Sequence, residues 1–210
     1  MAPWLPAPCS RSASPRSSAV MRTLFDFAPE RCARLLVLLP AAKARPEDFV
    51  ERGFIDAVRA RHLRLDVAMP DLHADLYLEG DIAERLETDV MRSMRAKGYA
   101  HIWLAGISLG GMAAVAYACR YASHIAGVIL VAPFLGLRDA NGEPELLGEL
   151  AESALPEIFL GYGTHDRFAG TSRSLARRLP AERVTTLEGG HDWLTWIELW
   201  KIMLAQAFTR

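Results

Sequence analysis

The chain has 210 residues, of which 51% are hydrophobic and 23% are charged, and its formal net charge is -1. This length and composition allow one domain with a sizeable buried core and exclude disorder throughout the chain. Near-zero net charge, without a long run of Lys or Arg, argues against a nucleic-acid partner. No apolar run approaches the roughly 20 residues that cross a bilayer, so we expect no membrane span.

The first twenty residues differ in composition from the rest. They are rich in Pro, Ser and Ala and contain no acidic residue, a composition that cannot build a packed element. We predict one domain over residues 21–210, and either a disordered tail over residues 1–20 or an upstream start, with Met21 as the functional first residue. A transit peptide is the alternative, which the four prolines of this stretch oppose.

After Met21, short apolar runs alternate with longer amphipathic ones. The alternation is typical of an α/β fold, a mostly parallel sheet with helices on both faces. Strands are predicted over residues 34–39, 63–69, 101–107, 125–132, 157–162 and 183–187. Helices, with apolar residues every three or four positions, are predicted over residues 46–61, 81–97, 109–121, 171–179 and 192–208. Residues 135–155 have weak periodicity, which predicts a loop with a short helix and a cap that is short or absent.

A glycine-rich turn joins the predicted strand 101–107 to the helix 109–121. It reads Gly-Ile-Ser-Leu-Gly-Gly, with Ser108 at its centre. Glycines two residues before and after the serine leave room for a sharp, strained strand-to-helix turn that presents the hydroxyl above the sheet edge. The pattern predicts Ser108 as a nucleophile. A bystander serine in a glycine-rich turn is the alternative, and the flanking strand and helix oppose it.

A serine hydroxyl needs a base, and the base needs a group that orients it. His191 is the predicted base, since it lies between the last strand and the terminal helix, where a loop can return it to Ser108. Asp166 follows the strand 157–162 and is predicted to orient the histidine. Asp192 is the competitor, but it is better placed as the N-cap of the last helix. Along the chain the three residues follow in the order Ser, Asp, His, each after a predicted strand.

Attack of a serine on a carbonyl group gives a tetrahedral intermediate with a negatively charged oxygen, the oxyanion. Hydrolysis by this route also needs hydrogen-bond donors directed at that oxygen. The backbone N–H of Leu109, at the start of the helix after Ser108, is predicted as one donor. The second should come from the loop after the first predicted strand, with Ala42 as first choice and Ala41 as the alternative.

Three cysteines, Cys9, Cys32 and Cys119, are scattered without metal-ligand or disulfide spacing. We therefore predict no metal site and a reducing, cytoplasmic location. The sequence leaves the oligomeric state open.

Three motifs in chain order, GISLGG, GTHDRF and GGHDW, resemble the α/β-hydrolase superfamily, in particular its small bacterial esterase-like members. The resemblance runs from about Leu35 to the C-terminus. It implies hydrolysis of an ester, a thioester or a related carbonyl compound through an acyl-enzyme, without a metal or organic cofactor. One departure is Pro40-Ala41-Ala42, at a loop where relatives commonly carry a glycine, often after a histidine.

The sequence thus predicts a serine hydrolase that acts on a small-molecule carboxylic ester. A thioesterase or acyltransferase with the same three residues is one alternative, and a non-catalytic binding protein of the same fold is another. Trp193 lies nearest to His191 on the terminal helix and is the predicted substrate contact, with core packing as the competing interpretation.

Overall fold

The computed structural model describes residues 20–77, 81–136, 144–152 and 156–208. The predicted tail therefore lies outside the described residues except for its last position. Met21 is buried and the first strand begins two residues later. The boundary between tail and domain stays a prediction.

A seven-stranded sheet forms the centre of the molecule. Its strands are β1 (Thr23–Asp26), β2 (Arg34–Leu39), β3 (Asp66–Pro70), β4 (His101–Ile107), β5 (Gly127–Val131), β6 (Glu157–Gly163) and β7 (Val184–Leu187). The spatial order is β1-β3-β2-β4-β5-β6-β7. All neighbours pair in parallel except β1 with β3. The six predicted strands are confirmed, with ends that differ by up to three residues, and the antiparallel edge strand β1 was not predicted.

Helices cover both faces of the sheet. They are α1 (Pro46–Glu51), α2 (Phe54–Arg59), α3 (Ile82–Leu86), α4 (Arg92–Ala96), α5 (Leu109–Tyr121), α6 (Glu145–Glu152), α7 (Ala169–Ala176) and α8 (Trp193–Phe208). Alternate side chains of β2 enter different cores because successive residues of a strand point to opposite faces. Leu36 packs with residues of α1, α2 and α8, whereas Leu35 packs with residues of α3, α4 and α5. The predicted α/β fold is confirmed.

Two predicted helices are divided in the structure. The helix predicted over residues 46–61 becomes α1 and α2 because Gly53 adopts a left-handed conformation, with φ of 78°, between them. The helix predicted over residues 81–97 contains a π-helical turn, Glu87–Met91, between α3 and α4. The weakly periodic segment holds α6, and its residues 137–143 and 153–155 lie outside the described part. None of the described helices is long and apolar enough to span a membrane.

The π-helical turn begins at a buried carboxylate. The side chain of Glu87 is 6% exposed and pairs with Arg95, and the Tyr117 hydroxyl donates to its Oε2 at 2.8 Å. Burial acts to raise the pKa of Glu87, but hydrogen bonds from Arg95 and Tyr117 outweigh it and hold the pKa below its ordinary value. Through Arg95 and Tyr117, Glu87 therefore links the π-helical turn to α4 and α5, on the face of the sheet that holds the helix after Ser108.

Glu87→Gln is expected to lower the free energy of unfolding at pH 7 by about 2 kcal/mol, because it leaves the Arg95 charge poorly compensated. Because the pKa of Glu87 is lower in the folded than in the unfolded protein, its ionised side chain stabilises the fold at pH values above the unfolded-state pKa of about 4.3. This stabilisation is lost as the pH falls through the folded-state pKa. The difference between wild type and variant should therefore shrink below about pH 4. Urea unfolding across this pH range measures it, and a difference that stays constant would contradict the pairing.

Candidate active site

Ser108 occupies a strained turn at the carboxyl end of β4. Its φ and ψ are 53° and -114°, and it is only 6% exposed. The Ser108 N–H donates to the Val131 carbonyl at 3.0 Å, and its carbonyl accepts from the N–H groups of Gly111 at 3.0 Å and Phe134 at 2.9 Å. These bonds attach the turn to β5 and to the segment after it, so the surrounding structure holds the strained backbone in place.

The glycines of this turn allow strand and helix to approach closely. A Cβ on Gly106 would collide with the backbone of Gly110. A Cβ on Gly110 would in turn collide with the Leu39 carbonyl and lie 2.7 Å from the Pro40 carbonyl oxygen. The turn therefore packs directly against the end of β2, and both glycines are required on steric grounds.

Gly110→Ala is expected to destabilise the protein by at least about 3 kcal/mol, since the added methyl group meets rigid backbone rather than a flexible side chain. Gly148→Ala in α6 is the matched control, because nothing lies within 4 Å of its added Cβ. That change should stabilise the fold slightly by favouring the helix. Urea unfolding of both variants tests the packing, and equal midpoints would refute it.

The three residues predicted to act together lie within hydrogen-bond distance. His191 Nε2 is 2.9 Å from Ser108 Oγ, and His191 Nδ1 is 2.7 Å from Asp166 Oδ2. The Asp166 side chain is fully buried and that of His191 is 9% exposed. The second carboxylate oxygen, Oδ1, accepts from the Phe168 N–H at 2.7 Å. The arrangement is a hydroxyl, an imidazole and a carboxylate in a largely buried row, and their roles as nucleophile, base and orienting group stay predictions.

Backbone hydrogen bonds join the loop that carries Asp166 to the loop that carries His191. The N–H of Thr164 donates to the Leu187 carbonyl at 2.8 Å, and that of His165 donates to the Gly189 carbonyl at 3.0 Å. Gly163 meets the Gly189 carbonyl so closely that a Cβ would collide with it. The pairing of β6 with β7 thus continues past both strands and brings Asp166 and His191 to one place.

The competitor Asp192 has a different role. Its Oδ1 accepts from the Thr195 N–H at 3.0 Å and the Thr195 hydroxyl at 3.2 Å. It therefore caps the first turn of α8, and the prediction of an N-cap is confirmed.

The first predicted oxyanion donor, Leu109, adjoins Ser108, and the loop that carries Ala41 and Ala42 begins beside the same turn. Leu109 is the first residue of α5, so its N–H has no acceptor within the helix. The contact of Gly110 with Leu39 and Pro40 brings the loop after β2 to the same place, and in this loop Ala41 is buried and Ala42 is exposed. Their action as donors stays a prediction. The Leu109 carbonyl accepts from the Tyr77 hydroxyl at 3.1 Å, and burial raises the pKa of that hydroxyl far above its usual range.

Two aromatic rings contact the histidine, and neither contact was predicted from the sequence. The rings of Phe168 and Trp196 contact the imidazole of His191. Trp193 instead packs against Phe54 and Trp196, with the Arg52 guanidinium 5.6 Å from its ring centroid. A substrate contact by Trp193 stays a prediction. The signal for Trp196 was its position one helical turn after Asp192, which points it to the same side as the loop.

Comparison with known proteins identifies the family. A family model described as the alpha/beta hydrolase fold matches residues 66–192, more than half of the chain. The chain therefore belongs to the α/β-hydrolase family. No curated protein matches the sequence significantly.

Several solved structures share the fold. A CIB-like hydrolase from Thermoplasma acidophilum matches with a TM-score of 0.67 and 18% identity, covering 90% of this chain and 99% of that one. An S-formylglutathione hydrolase from Staphylococcus aureus matches with a TM-score of 0.64 and 14% identity, over 82% and 80% of the two chains. A monoacylglycerol lipase from Paleococcus ferrophilus matches with a TM-score of 0.59 and 15% identity, over 89% and 99%. At these identities the similarities show the fold.

Proposed function

We propose that the protein is a serine hydrolase that cleaves carboxylic esters of small molecules through an acyl-enzyme. The observation that carries the proposal is the continuous row from Ser108 Oγ through both nitrogens of His191 to Asp166. If these three residues had only a structural role, the fold would not require them to form a hydrogen-bonded row at a strained strand-to-helix turn. Esterase and lipase structures among the fold relatives support the same reaction class.

In the proposed first step, Ser108 attacks the substrate carbonyl. A carboxylate only accepts hydrogen bonds, so His191 Nδ1–H donates to Asp166 and leaves Nε2 free to take the serine proton. The Ser108 Oγ–carbon bond forms as that proton moves to Nε2, and the carbonyl electron pair moves to its oxygen. The N–H groups of Leu109 and Ala42 are the proposed donors to this oxyanion.

Collapse of the tetrahedral intermediate breaks the bond to the leaving group. His191 Nε2 returns its proton to the departing alcohol, and Ser108 retains the acyl group. A water molecule then repeats the sequence, with His191 first as base and then as acid, and releases the carboxylic acid. Every bond made or broken in the proposed reaction is accounted for by these three side chains and water.

A thioesterase is the second candidate. It needs the same three side chains, and one fold relative is named S-formylglutathione hydrolase, a name that denotes a thioester substrate. Only the leaving group differs. The scattered cysteines of the chain support a reducing, cytoplasmic location for either enzyme.

A matched panel of p-nitrophenyl esters and acyl thioesters of increasing chain length tests the proposal. The expected result is turnover of the oxygen esters, together with one fluorophosphonate adduct that mass spectrometry locates on Ser108. Faster turnover of the matched thioesters would favour the second candidate. A chain that cleaves neither series and does not react with the fluorophosphonate would be a binding protein, and the proposal would fail.

A further inference from the structure

The imidazole of His191 lies against two aromatic rings. The ring centroids of Phe168 and Trp196 are each 4.9 Å from that of the imidazole, with interplanar angles of 89° and 84°. Edge-to-face contacts of this kind are favourable and depend on orientation. The imidazole is therefore packed on more than one side, in addition to its hydrogen bonds with Ser108 and Asp166.

These packing contacts differ from the hydrogen bonds in one respect. In the proposed reaction the proton between Ser108 Oγ and His191 Nε2 moves in every cycle, so the link to the serine is repeatedly broken and remade. Contacts with Phe168 and Trp196 involve no transferred proton and persist throughout. They can hold the ring at its working position when the bond to Ser108 is absent.

Phe168 is itself linked to the other members of the site. The Phe168 N–H donates to Asp166 Oδ1 at 2.7 Å, so one residue contacts both the acid and the base. The Phe168 ring packs against Phe134 at 5.3 Å, and the Phe134 N–H donates to the Ser108 carbonyl at 2.9 Å. The Arg167 guanidinium lies 4.9 Å from the Phe168 ring centroid. Phe168 is thus linked to Asp166 through its backbone, to His191 through its ring, and to the backbone of Ser108 through Phe134.

Trp196 supports the imidazole from the terminal helix. It is 6% exposed, and its Nε1 is buried without a hydrogen-bond partner among the described residues. An unpaired buried donor costs about 1–3 kcal/mol. A phenylalanine at this position would supply an aromatic ring without this N–H.

We propose that Phe168 and Trp196 are positioning residues that clamp the imidazole of His191 between Ser108 and Asp166. This inference rests on the proposed function for its effect on turnover. The competing role for Phe168, which is half-buried, is a wall of the acyl pocket. If Phe168 positions His191, removal of its ring should lower turnover of every substrate by the same factor. If it is a pocket wall, the effect should vary with the acyl group.

Four variants test the clamp, and a fifth serves as the control. Phe168→Leu and Trp196→Leu should each lower kcat about 10-fold or more, with KM within about twofold and the same factor for every acyl length, because the base is misplaced for all substrates alike. Phe168→Tyr and Trp196→Phe should restore most of the activity. Phe208→Leu removes another half-buried aromatic ring, which packs on Trp103 near the opposite end of β4, and should leave kcat unchanged.

A second readout does not need turnover. The proton of His191 Nδ1, bonded to Asp166, should give a downfield ¹H NMR signal that broadens or disappears in Phe168→Leu and Trp196→Leu but not in Phe208→Leu. An unchanged signal in both leucine variants would overturn the clamp. The clamp would also be overturned if the activity lost by Phe168→Leu varied with acyl length, or if the variant raised KM rather than lowering kcat. Either result would make Phe168 a wall of the acyl pocket. Failure of the wild type to hydrolyse any ester would refute the proposed function while the NMR comparison still tests the clamp.

Discussion

Ser108→Ala is expected to lower kcat/KM for ester hydrolysis by about 10⁴-fold or more. The variant loses the only atom that forms the acyl-enzyme bond, whereas the proposed oxyanion donors and the substrate contacts remain. The fold should survive, since the serine backbone keeps its bonds to Val131, Gly111 and Phe134. Parallel measurement of p-nitrophenyl ester hydrolysis and thermal unfolding checks both points.

Two further variants serve as controls for this experiment. His191→Ala should lose about as much activity as Ser108→Ala, and the double variant should lose no more than either, because the two residues act as one unit. Additive losses would mean that they act independently. Retention of wild-type turnover by folded Ser108→Ala would refute the mechanism.

Asp166→Asn is expected to lower kcat by about 10³-fold or more. An asparagine can donate to Nδ1, which favours the wrong imidazole tautomer and places the proton on the nitrogen that must accept from Ser108. Asp192→Asn is the matched control: it makes the same change next to His191, and asparagine caps a helix about as well as aspartate. It should leave kcat within about twofold. Steady-state kinetics of the pair distinguish the two acids, and equal losses would contradict the assignment of Asp166.

The sequence was sufficient to predict that Ser108, Asp166 and His191 meet. Parallel strands end at one edge of a sheet, and Ser108, Asp166 and His191 each follow a predicted strand, so their meeting could be expected before the structure was known. The hydrophobic runs were long enough to locate every parallel strand. What the motifs could not supply was the oxyanion donor after β2, since a backbone N–H leaves no side-chain signature.

Other features escaped prediction for physical reasons. The edge strand β1 has four residues, all partly exposed, and it lacks the apolar run that marks a central strand. The π-helical turn at Glu87 keeps nearly helical periodicity, so only the structure reveals it. The contact of Trp196 with His191 escaped prediction because spacing indicates a helix face but does not show which of the tryptophans of α8 reaches the histidine.

The continuation of the β6 and β7 pairing into the loops after them has a consequence for how the protein loses activity. β7 is the outermost strand at its end of the sheet, whereas the serine turn follows the central strand β4. Fraying of that edge would carry His191 away from Ser108 and Asp166 while the core stays folded. On heating, we therefore expect inactivation to follow local unfolding of this edge and to precede the melting of the whole domain.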